Sequence, residues 1–570
     1  MKNNSQKSQL IGQLLIDESV ISEDDLQTGL IYSNKNGVTL GQGLKELGLI
    51  NESRLLPILA RQKGLQFISL KNYSPDSLVL SKVDISHAER YRIIPLSISN
   101  GFLTIASSQP LDLQNLDDLA LLLGYRIKVV LACENEVMDA IHAAYGVGAD
   151  TIQGMIKNGS TRISLSDDEG FRIETISDLS DEASIIKFIN QILIKAFNSR
   201  ATDIHIEPFI DRLRIRYRVD GLLYSLPVPE KLKTFHSEIV SRIKIMSRLN
   251  IAERRLPQDG RCKIKISDSE LDLRISILPS IHGENVNIRF LSQTSIQSGL
   301  EKLGVLEDQS YILENVIKKP YGMLLVTGPT GSGKTTTLYT CLNKINITDR
   351  KIITVEDPVE YQLDGITQIQ VNPKAGLTFS RGLRSMLRHD PDVMMVGEIR
   401  DTETAQVAIQ VALTGHLLLS SVHTNNATSS IVRLINMGIE PYLVASSVEC
   451  VVAQRLVRLI CPHCKQEKKT DLSVVTGIES DNVSLSNQTY IGLGCHLCNN
   501  TGYLGRTGVF EILILNDELR EAALRQASSR EIKQIALKGG MTTLRQDGLK
   551  KVAQGITSIE EVLRVTQETD

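Results

Sequence analysis

The chain lacks a long run of apolar residues that could cross a membrane. Its strongest candidate, Tyr442 to Ile460, contains Glu449 and Arg455, whereas a membrane-spanning helix needs about 18 or more predominantly apolar residues. We interpret this segment as a buried amphipathic helix. The N-terminus is basic, but it leads into a helix-period segment with acidic residues rather than into the apolar core of a signal peptide. We therefore expect a cytoplasmic protein.

The chain also lacks a strong charge of one sign. Its 63 Lys and Arg residues nearly balance 66 Asp and Glu residues and leave a formal net charge of −3. Such a balance provides no general field for polyanions, so we expect no nucleic-acid partner. The hydrophobic fraction of 42% and the charged fraction of 23% are those of an ordinary globular protein. A chain of 570 residues is too long for one core and predicts roughly three to five domains.

The first 66 residues contain an internal repeat. A shift of 29 residues superposes Ile11 on Leu40, and the shared apolar positions have helical spacing. Ser22 and Asn51 stand where each copy would cap a second helix. We interpret residues 1–66 as two mutually packed helical hairpins.

Composition and periodicity divide the rest of the chain into six segments. We predict a small α/β domain at 67–145, a flexible linker at 146–181, a second α/β domain at 182–300, an α/β core at 301–460, a cysteine module at 461–500 and a C-terminal helical region at 501–570. In the core, apolar strands alternate with helical patterns, which is typical of a parallel sheet covered by helices. The protein is therefore expected to be multidomain α/β.

A glycine-rich loop in the core carries the clearest chemical signal. A buried-strand pattern at 321–327 leads into the loop and then into a helix-compatible segment; the loop residues are Gly328, Pro329, Thr330, Gly331, Ser332, Gly333, Lys334, Thr335 and Thr336. In such a loop the backbone N–H groups surround phosphate oxygens, while Lys334 adds a positive charge and Thr335 a magnesium ligand. A chance glycine-rich turn is the alternative. The order of strand, loop and helix favours a site for ATP and Mg²⁺.

Two carboxylates and a histidine follow other apolar strands of the core. Glu398 follows 393–396, Glu356 follows 352–355, and His423 follows a third apolar run. Ligands of parallel sheets bind at the carboxyl ends of the strands, so we expect these residues near the loop. Glu398 is our first candidate for activating water, and Glu356 for sharing that role or holding magnesium through a water shell. His423 is a candidate sensor of the γ-phosphate; solvated strand-end residues are the alternative.

Four of the eight cysteines form two Cys-x-x-Cys pairs, Cys461 with Cys464 and Cys495 with Cys498. Two thiolates on each of two tight turns provide the ligand set of a tetrahedral zinc site. Paired disulfides are disfavoured in a cytosolic setting, and a redox-active pair is the remaining alternative. We predict a structural zinc site.

Four motifs in order resemble those of the type II secretion and type IV pilus assembly ATPase family. The glycine-rich loop resembles the family's Walker A motif, residues 353–360 its Asp box, Asp392–Arg400 its atypical Walker B motif and Ser420–Asn425 its His box. The resemblance implies a RecA-like P-loop ATPase core in a six-membered ring. It also implies peripheral attachment at the inner membrane through platform and membrane-anchor proteins.

The function that this resemblance implies is ATP hydrolysis that powers assembly of pilin-like subunits in type II protein secretion. Type IV pilus extension is the near alternative, because both systems share every motif. A nucleotide-gated regulatory adaptor with little turnover is an alternative of a different class. The tetracysteine module resembles that of assembly motors rather than retraction motors.

The resemblance extends beyond the core. Residues 201–208 and 255–261 resemble the family's PAS-like domain that precedes the core. Matching that domain residue by residue implies that Arg274 and Arg289 neutralise charge on the γ-phosphate as the domains close.

The N-terminal repeat resembles the family's cyclic di-GMP-binding domain in a degenerate form. The positions of its two arginines hold Leu10 and Thr39. Loss of both arginines removes charge-assisted contacts to the dinucleotide. We therefore favour scaffolding or partner docking over cyclic di-GMP binding for this segment.

Overall fold

The computed structural model describes residues 11–18, 20–70, 73, 76–145, 172–173, 184–266, 269–291, 299–469 and 488–566. They belong to two units: residues up to 219 with 223–289, and residues 220–222 with those from 290 onward. All of the predicted linker at 146–181 except residues 172–173 lies outside the described residues. Within the described ranges, no helix is both long enough and apolar enough to cross a membrane.

Four helices at the start of the first unit follow the repeat. They are α1 (Ile11–Asp17), α2 (Glu23–Asn36), α3 (Leu40–Glu46) and α4 (Glu52–Gln62). Ser22 caps α2 by accepting a hydrogen bond from Asp25 N at 3.1 Å, whereas Asn51 holds the N-cap position of α4 without a side-chain bond. The equivalent residues Leu15 and Leu44 are fully buried in one core, so the two hairpins pack together.

A small α/β layer follows the repeat. Its elements are β1 (Gln66–Phe67), α5 (Ser77–Leu80), α6 (Ile85–Tyr91), β2 (Ile93–Ser99), β3 (Phe102–Ser107), α7 (Leu113–Leu123), β4 (Arg126–Leu131) and α8 (Glu134–Tyr145). The strand order is β1-β4-β3-β2, with β2 antiparallel to β3 and the other pairs parallel. Leu103 and Ile105 alternate along β3 and are fully buried, so this sheet has its own core.

A larger sheet completes the first unit. Its elements are β5 (Arg172–Ile173), α9 (Ser184–Asn198), β6 (Ala201–Pro208), β7 (Leu213–Val219), β8 (Leu222–Leu226), α10 (His236–Met246), β9 (Gln258–Ile266), β10 (Ser269–Ser280) and β11 (Gly283–Leu291). The strand order is β5-β9-β10-β11-β6-β7-β8. Tyr217 Oη donates to Ile192 O of α9 at 2.8 Å, and Ile204 and Ile206 are buried. One face is therefore apolar and the alternating residues form a polar face.

The second unit is built around a seven-stranded sheet. Its strands are β12 (Gly322–Thr327), β13 (Ile352–Glu356), β14 (Thr367–Gln370), β15 (Val393–Val396), β16 (Leu417–Val422), β17 (Val448–Ile460) and β20 (Tyr503–Ile514), with a separate hairpin of β18 (Lys465–Lys469) and β19 (Gln488–Gly492). The order is β14-β13-β15-β16-β12-β17-β20. All neighbours are parallel except β17 and β20.

Helices cover both faces of this sheet. They are α11 (Glu307–Ile317), α12 (Lys334–Ile345), α13 (Phe379–Met386), α14 (Thr402–Leu413), α15 (Ala427–Asn436), α16 (Pro441–Ser447), α17 (Asp517–Leu524), α18 (Ser529–Lys538), α19 (Leu544–Ala553) and α20 (Ile559–Thr566). Separate apolar clusters lie on the two sides of the strands. The predicted helix-covered parallel sheet is confirmed.

The segment from Tyr442 to Ile460 does not form the single helix that its apolar run predicts. Helix α16 ends at Ser447, and β17 begins at Val448 between β12 and β20. A strand that is buried on both faces loses its alternation, so periodicity alone cannot distinguish it from a buried helix. The β-branched valines of this segment favour the extended conformation. The helical interpretation is wrong.

The core sheet also continues beyond residue 460. Strand β20, inside the region predicted to be helical from residue 501, pairs with β17 from Cys450 opposite Ile514 to Ile460 opposite Tyr503. The described C-terminal helices begin only at Asp517. The cysteine module therefore lies at the end of a long hairpin formed by two strands of the core.

Candidate functional site

The glycine-rich loop joins β12 to α12 at the carboxyl edge of the core sheet. Gly328, Gly331 and Gly333 have φ angles of 151°, 79° and 89°, which glycine adopts without strain. A side chain at Gly328 would lie 2.5 Å from Gln454 O, and one at Gly333 would lie 2.8 Å from Gln454 Nε2. The path of the loop therefore requires glycine both for its backbone angles and for its packing against β17.

Lys334 lies across this loop. Its ammonium group donates to Gly328 O at 2.8 Å and to Pro329 O at 3.1 Å. Burial lowers the pKa of Lys334; Glu398 opposes that shift and Arg455 adds to it. A half-buried cation beside a second cation favours an anion in the loop.

The remaining loop residues fit a phosphate group. Ser332 is buried, and its hydroxyl has no protein hydrogen-bond partner in the part of the chain that the structure describes. Thr335 and Thr336 are half-buried in the first turn of α12, where backbone N–H groups lack intrahelical acceptors. Thr330 is exposed in the loop. These donors suit phosphate oxygens, and the Thr335 hydroxyl is suitable as a ligand for Mg²⁺.

Glu398 has a side-chain partner on each of its oxygens. Its Oε1 pairs with Arg400, and its Oε2 lies 3.1 Å from His423 Nε2. The carboxylate is 13% exposed, and the bond to it raises the pKa of Arg400. Because β15 and β16 are neighbours, the structure brings the two sequence-predicted residues Glu398 and His423 into direct contact.

Glu356 ends β13 and is only 3% exposed. Its Oε1 accepts hydrogen bonds from Thr354 Oγ1 at 2.6 Å and Gln368 Nε2 at 3.1 Å, and its Oε2 accepts one from Tyr339 Oη. Burial raises the pKa of Glu356, and the three donors act in the opposite sense. Among the described residues, no hydrogen bond joins Glu356 to Glu398, so the two carboxylates belong to separate networks.

Sequence reasoning missed the polar residues that β17 brings to the loop. Gln454 accepts a hydrogen bond from Thr337 Oγ1 at 2.6 Å. Arg455 donates to Asn425 O at 2.7 Å, in the segment that follows His423. A polar pair inside an apolar strand next to β12 is the signal that could have found them. That signal was lost because the strand itself was interpreted as a helix.

Arg274 and Arg289 lie on neighbouring strands of the first unit, β10 and β11. Arg289 Nε donates to Asp203 Oδ1 at 2.8 Å, and Arg274 stands opposite Arg261 of β9. Both arginines alternate with buried apolar residues and so occupy the polar face. Among the described residues, the buried polar atoms of that face without a protein hydrogen bond include His205 Nε2, Asp272 Oδ1 and Asn287 Oδ1.

The four paired cysteines converge at the end of the β17–β20 hairpin. Their Sγ atoms all lie within 4.8 Å of one another. Cys461 to Cys495 measures 3.8 Å, Cys464 to Cys498 3.9 Å, and Cys495 to Cys498 3.7 Å. The N–H groups of Cys495 and Gly502 donate to Cys498 Sγ at 3.1 and 3.3 Å. Burial opposes ionisation, but these bonds lower the pKa of Cys498 to about 7.

Comparison with known families accounts for most of the chain. The family described as Type II/IV secretion system protein matches residues 178–564. The family described as MshEN domain matches residues 64–151. The first match includes strands β6 to β11 of the larger sheet in the first unit, the glycine-rich loop and the cysteine cluster.

Individual relatives match over the full length. The chain is 40% identical over 558 residues to the type IV pilus assembly ATPase PilB of Myxococcus xanthus, covering 97% of this chain and 98% of that protein. It is 40% identical over 573 residues to the type II secretion system protein E of Xanthomonas campestris pv. campestris, covering 100% of both. Among solved structures, the Legionella pneumophila ATPase DotB matches with a TM-score of 0.50 and 18% identity, covering 70% of this chain and 99% of that one. This last likeness concerns the fold alone.

Proposed function

The chain belongs to the family of type II/IV secretion system proteins and is a secretion ATPase, and we propose that it powers type II protein secretion. In this proposal, ATP hydrolysis drives the assembly of pilin-like subunits through an inner-membrane platform protein. Assembly of a type IV pilus is the alternative, because the chain is equally identical to a pilus assembly ATPase. The chain would then act in the cytoplasm, peripherally at the inner membrane, as a hexamer bound to the platform and membrane-anchor proteins.

One observation supports the catalytic assignment above all others. Lys334, Glu398 and His423 follow three adjacent strands, β12, β15 and β16, at their carboxyl ends, and Glu398 is fixed by His423 and Arg400. In our proposal Lys334 and the loop amides bind the phosphates, and Thr335 contributes a ligand to Mg²⁺. Glu398 orients and activates the attacking water, and His423 positions Glu398 and responds to the γ-phosphate. Glu356 provides the second carboxylate of the site.

We propose that Arg274 and Arg289 supply further positive charge to the γ-phosphate. Arg274 stands opposite Arg261 across the β9–β10 pair, so two guanidinium groups lie side by side on this face. The planar guanidinium group pairs well with phosphate oxygens. The buried polar atoms of the same face that lack a protein hydrogen bond are consistent with a surface that binds another molecule.

We further propose that the four cysteines bind one structural zinc ion. Four thiol groups within 4.8 Å of one another suit a closed tetrahedral site, which has no open position for catalysis. Cys461, Cys464, Cys495 and Cys498 would hold the ion as thiolates. Bound there, zinc would close the end of the hairpin without taking part in ATP hydrolysis.

For the N-terminal repeat we propose a scaffolding or docking role. Thr39, at one position where the dinucleotide-binding pattern has arginine, caps α3 by accepting a hydrogen bond from Gln42 N at 3.4 Å. Thr39 therefore has a structural role as the N-cap of α3. Calorimetric titration with cyclic di-GMP tests the proposal, and tight binding would contradict it.

The catalytic proposal is tested by replacing Glu398 with Gln. We expect E398Q to lose about a hundredfold or more in ATP turnover, because the amide cannot accept a proton from water, while retaining binding of a fluorescent ATP analogue. Glu403 provides the control, because it is an exposed glutamate that also pairs with an arginine, Arg384, at 2.7 Å. E403Q should hydrolyse ATP at the wild-type rate. Wild-type turnover in E398Q would contradict the assignment.

The choice between the two transport systems needs a separate experiment. Purified platform proteins of a type II secretion system and of a type IV pilus can be compared for binding to the chain. Preferential binding of the secretion platform is expected. Preferential binding of the pilus platform would support the alternative without affecting the catalytic assignment.

A further inference from the structure

A buried network surrounds Glu356, and none of its donors belongs to the predicted nucleotide site. The donors are a tyrosine from the helix that follows the loop, a threonine from the same strand, and a glutamine from the neighbouring edge strand: Tyr339, Thr354 and Gln368. Glu356, Tyr339 and Thr354 are 3%, 0% and 0% exposed. The carboxylate is therefore held by protein groups on both oxygens.

The position of Tyr339 ties this network to the phosphate loop. Tyr339 stands four residues after Thr335 on α12, so the two side chains share one face of the helix. Burial and the adjacent Glu356 raise the pKa of Tyr339, which keeps its hydroxyl protonated and able to donate. Tyr339 Oη also accepts hydrogen bonds from Glu360 N and Gln368 Nε2, each at 3.4 Å. It thus links α12 to both ends of the segment between β13 and β14.

A second tyrosine at the same place has a different role. The ring of Tyr361 packs edge-on against the ring of Tyr339, with centroids 4.6 Å apart and planes at 88°. The Tyr361 hydroxyl is buried and has no protein hydrogen-bond partner among the described residues. Both rings therefore contribute to packing, but of the two hydroxyl groups the one that donates a hydrogen bond to Glu356 is that of Tyr339.

We propose that Tyr339 is a positioning residue for ATP hydrolysis, which holds Glu356 in one orientation at the carboxyl end of β13 through its hydroxyl. This inference rests on the proposed ATPase function and on Glu356 as a carboxylate of the site. Tyr339 itself touches no reacting group in this scheme. Thr354 and Gln368 hold the other oxygen, so loss of the tyrosine hydroxyl frees Oε2 to rotate away from the position that hydrolysis requires.

The test compares Y339F with Y361F in the full-length chain. Each change removes one hydroxyl and keeps the ring. Because a hydrogen bond that fixes the carboxyl group of Glu356 is lost, we expect kcat of Y339F to fall about tenfold or more, with KM for ATP within about twofold of wild type. Y361F should keep both constants. A kcat of Y339F equal to that of wild type, or an equal loss in both variants, would refute the inference.

A double-mutant cycle separates positioning from general structural damage. If Tyr339 acts through Glu356, adding Y339F to E356Q should cause little further loss, within about twofold, whereas structural damage would reduce both backgrounds by the same factor. Single-turnover hydrolysis of radiolabelled ATP makes the slow E356Q rate measurable. If Y339F reduced the rate by the same factor in E356Q as in wild type, the proposal would be contradicted.

Two further outcomes are distinguishable. Should Y339F melt at a markedly lower temperature than wild type, T354V tests the same network, because it removes one donor to Glu356 with almost no change in side-chain size. We expect T354V to lower kcat without changing KM, and to add nothing in E356Q; wild-type kcat would count against the proposal. A wild-type chain without ATPase activity would contradict the proposed function itself, whereas an active wild type with a fully active Y339F contradicts only this inference.

Discussion

The cysteine cluster gives the most quantitative prediction. A zinc ion bound by four sulfurs at about 2.3 Å requires a tetrahedral edge of about 3.8 Å between sulfurs. Three of the six Sγ separations are 3.8, 3.9 and 3.7 Å, and all six lie within 4.8 Å. A disulfide would need sulfurs at about 2.05 Å. The cluster therefore matches a zinc site and not a pair of disulfides.

Replacement of Cys495 by Ser tests this assignment. Cys495 is half-buried and lies within 4 Å of two of its partners, Cys461 and Cys498. Structural zinc contributes an apparent binding free energy of about 10–16 kcal/mol in small zinc-binding peptides. We therefore expect C495S to lose its metal and the hydrogen-exchange protection of residues 461–469 and 488–502. Elemental analysis should find one zinc per wild-type chain and none in the variant.

Cys133 provides the control for this experiment. It is half-buried, lies in the first unit and is outside the cluster. C133S should keep one zinc per chain and full protection of the module. A wild-type chain that is free of metal, yet keeps the module protected from exchange, would refute the reasoning. So would an unchanged zinc content in C495S.

Two further predictions concern the C-terminal helices. Lys551 pairs with Asp547 at 2.6 Å, and both residues are fully buried. Because K551M leaves the Asp547 carboxylate without its partner, we expect it to destabilise the second unit by about 3–5 kcal/mol in denaturant titrations. The double variant K551M/D547N should recover part of that loss, and unchanged stability of K551M would contradict this prediction. Glu561 is buried, but hydrogen bonds from Arg564 and Arg458 outweigh burial and lower its pKa to about 2. The contribution of ionised Glu561 to the free energy of unfolding is therefore fully present above the pKa of an unfolded glutamate. It is lost as the pH falls from about 5 to 2, and it amounts to roughly 3 kcal/mol. The stability advantage of wild type over E561Q should shrink across that range, and a constant difference would contradict the assignment.

The parts of the site that were predictable follow local rules. The glycine-rich loop could be located because a strand, a loop and a helix occur in order within one short segment. Glu398 and His423 could be placed near each other because both follow buried parallel strands. The N-terminal repeat was visible because the same apolar positions recur after 29 residues, at Ile11 and Leu40.

The parts that were missed depend on long-range contacts. The network of Glu356 joins Tyr339, Thr354 and Gln368 from three elements, and no spacing in the sequence brings them together. Burial of β17 on both faces removed the alternation that marks a strand. The assignments of Arg274 and Arg289 needed the resemblance to a family, since arginines on the polar face of a sheet are common and composition does not single them out.

Strand β17 connects the two candidate sites physically. Its Gln454 contacts the loop helix through Thr337, and the residue that follows its last position is Cys461. Seven residues at roughly 3.3 Å each place these two points about 23 Å apart along one strand. Strand β20 pairs with β17 from Gln454 opposite Phe510 to Ile460 opposite Tyr503, with one irregularity between Arg458 and Ile460. A closed cysteine site would hold β17 and β20 together at this end of the hairpin, so loss of the metal should loosen β17 beside β12 and weaken ATP binding, although the four cysteines lie at the other end of the strand.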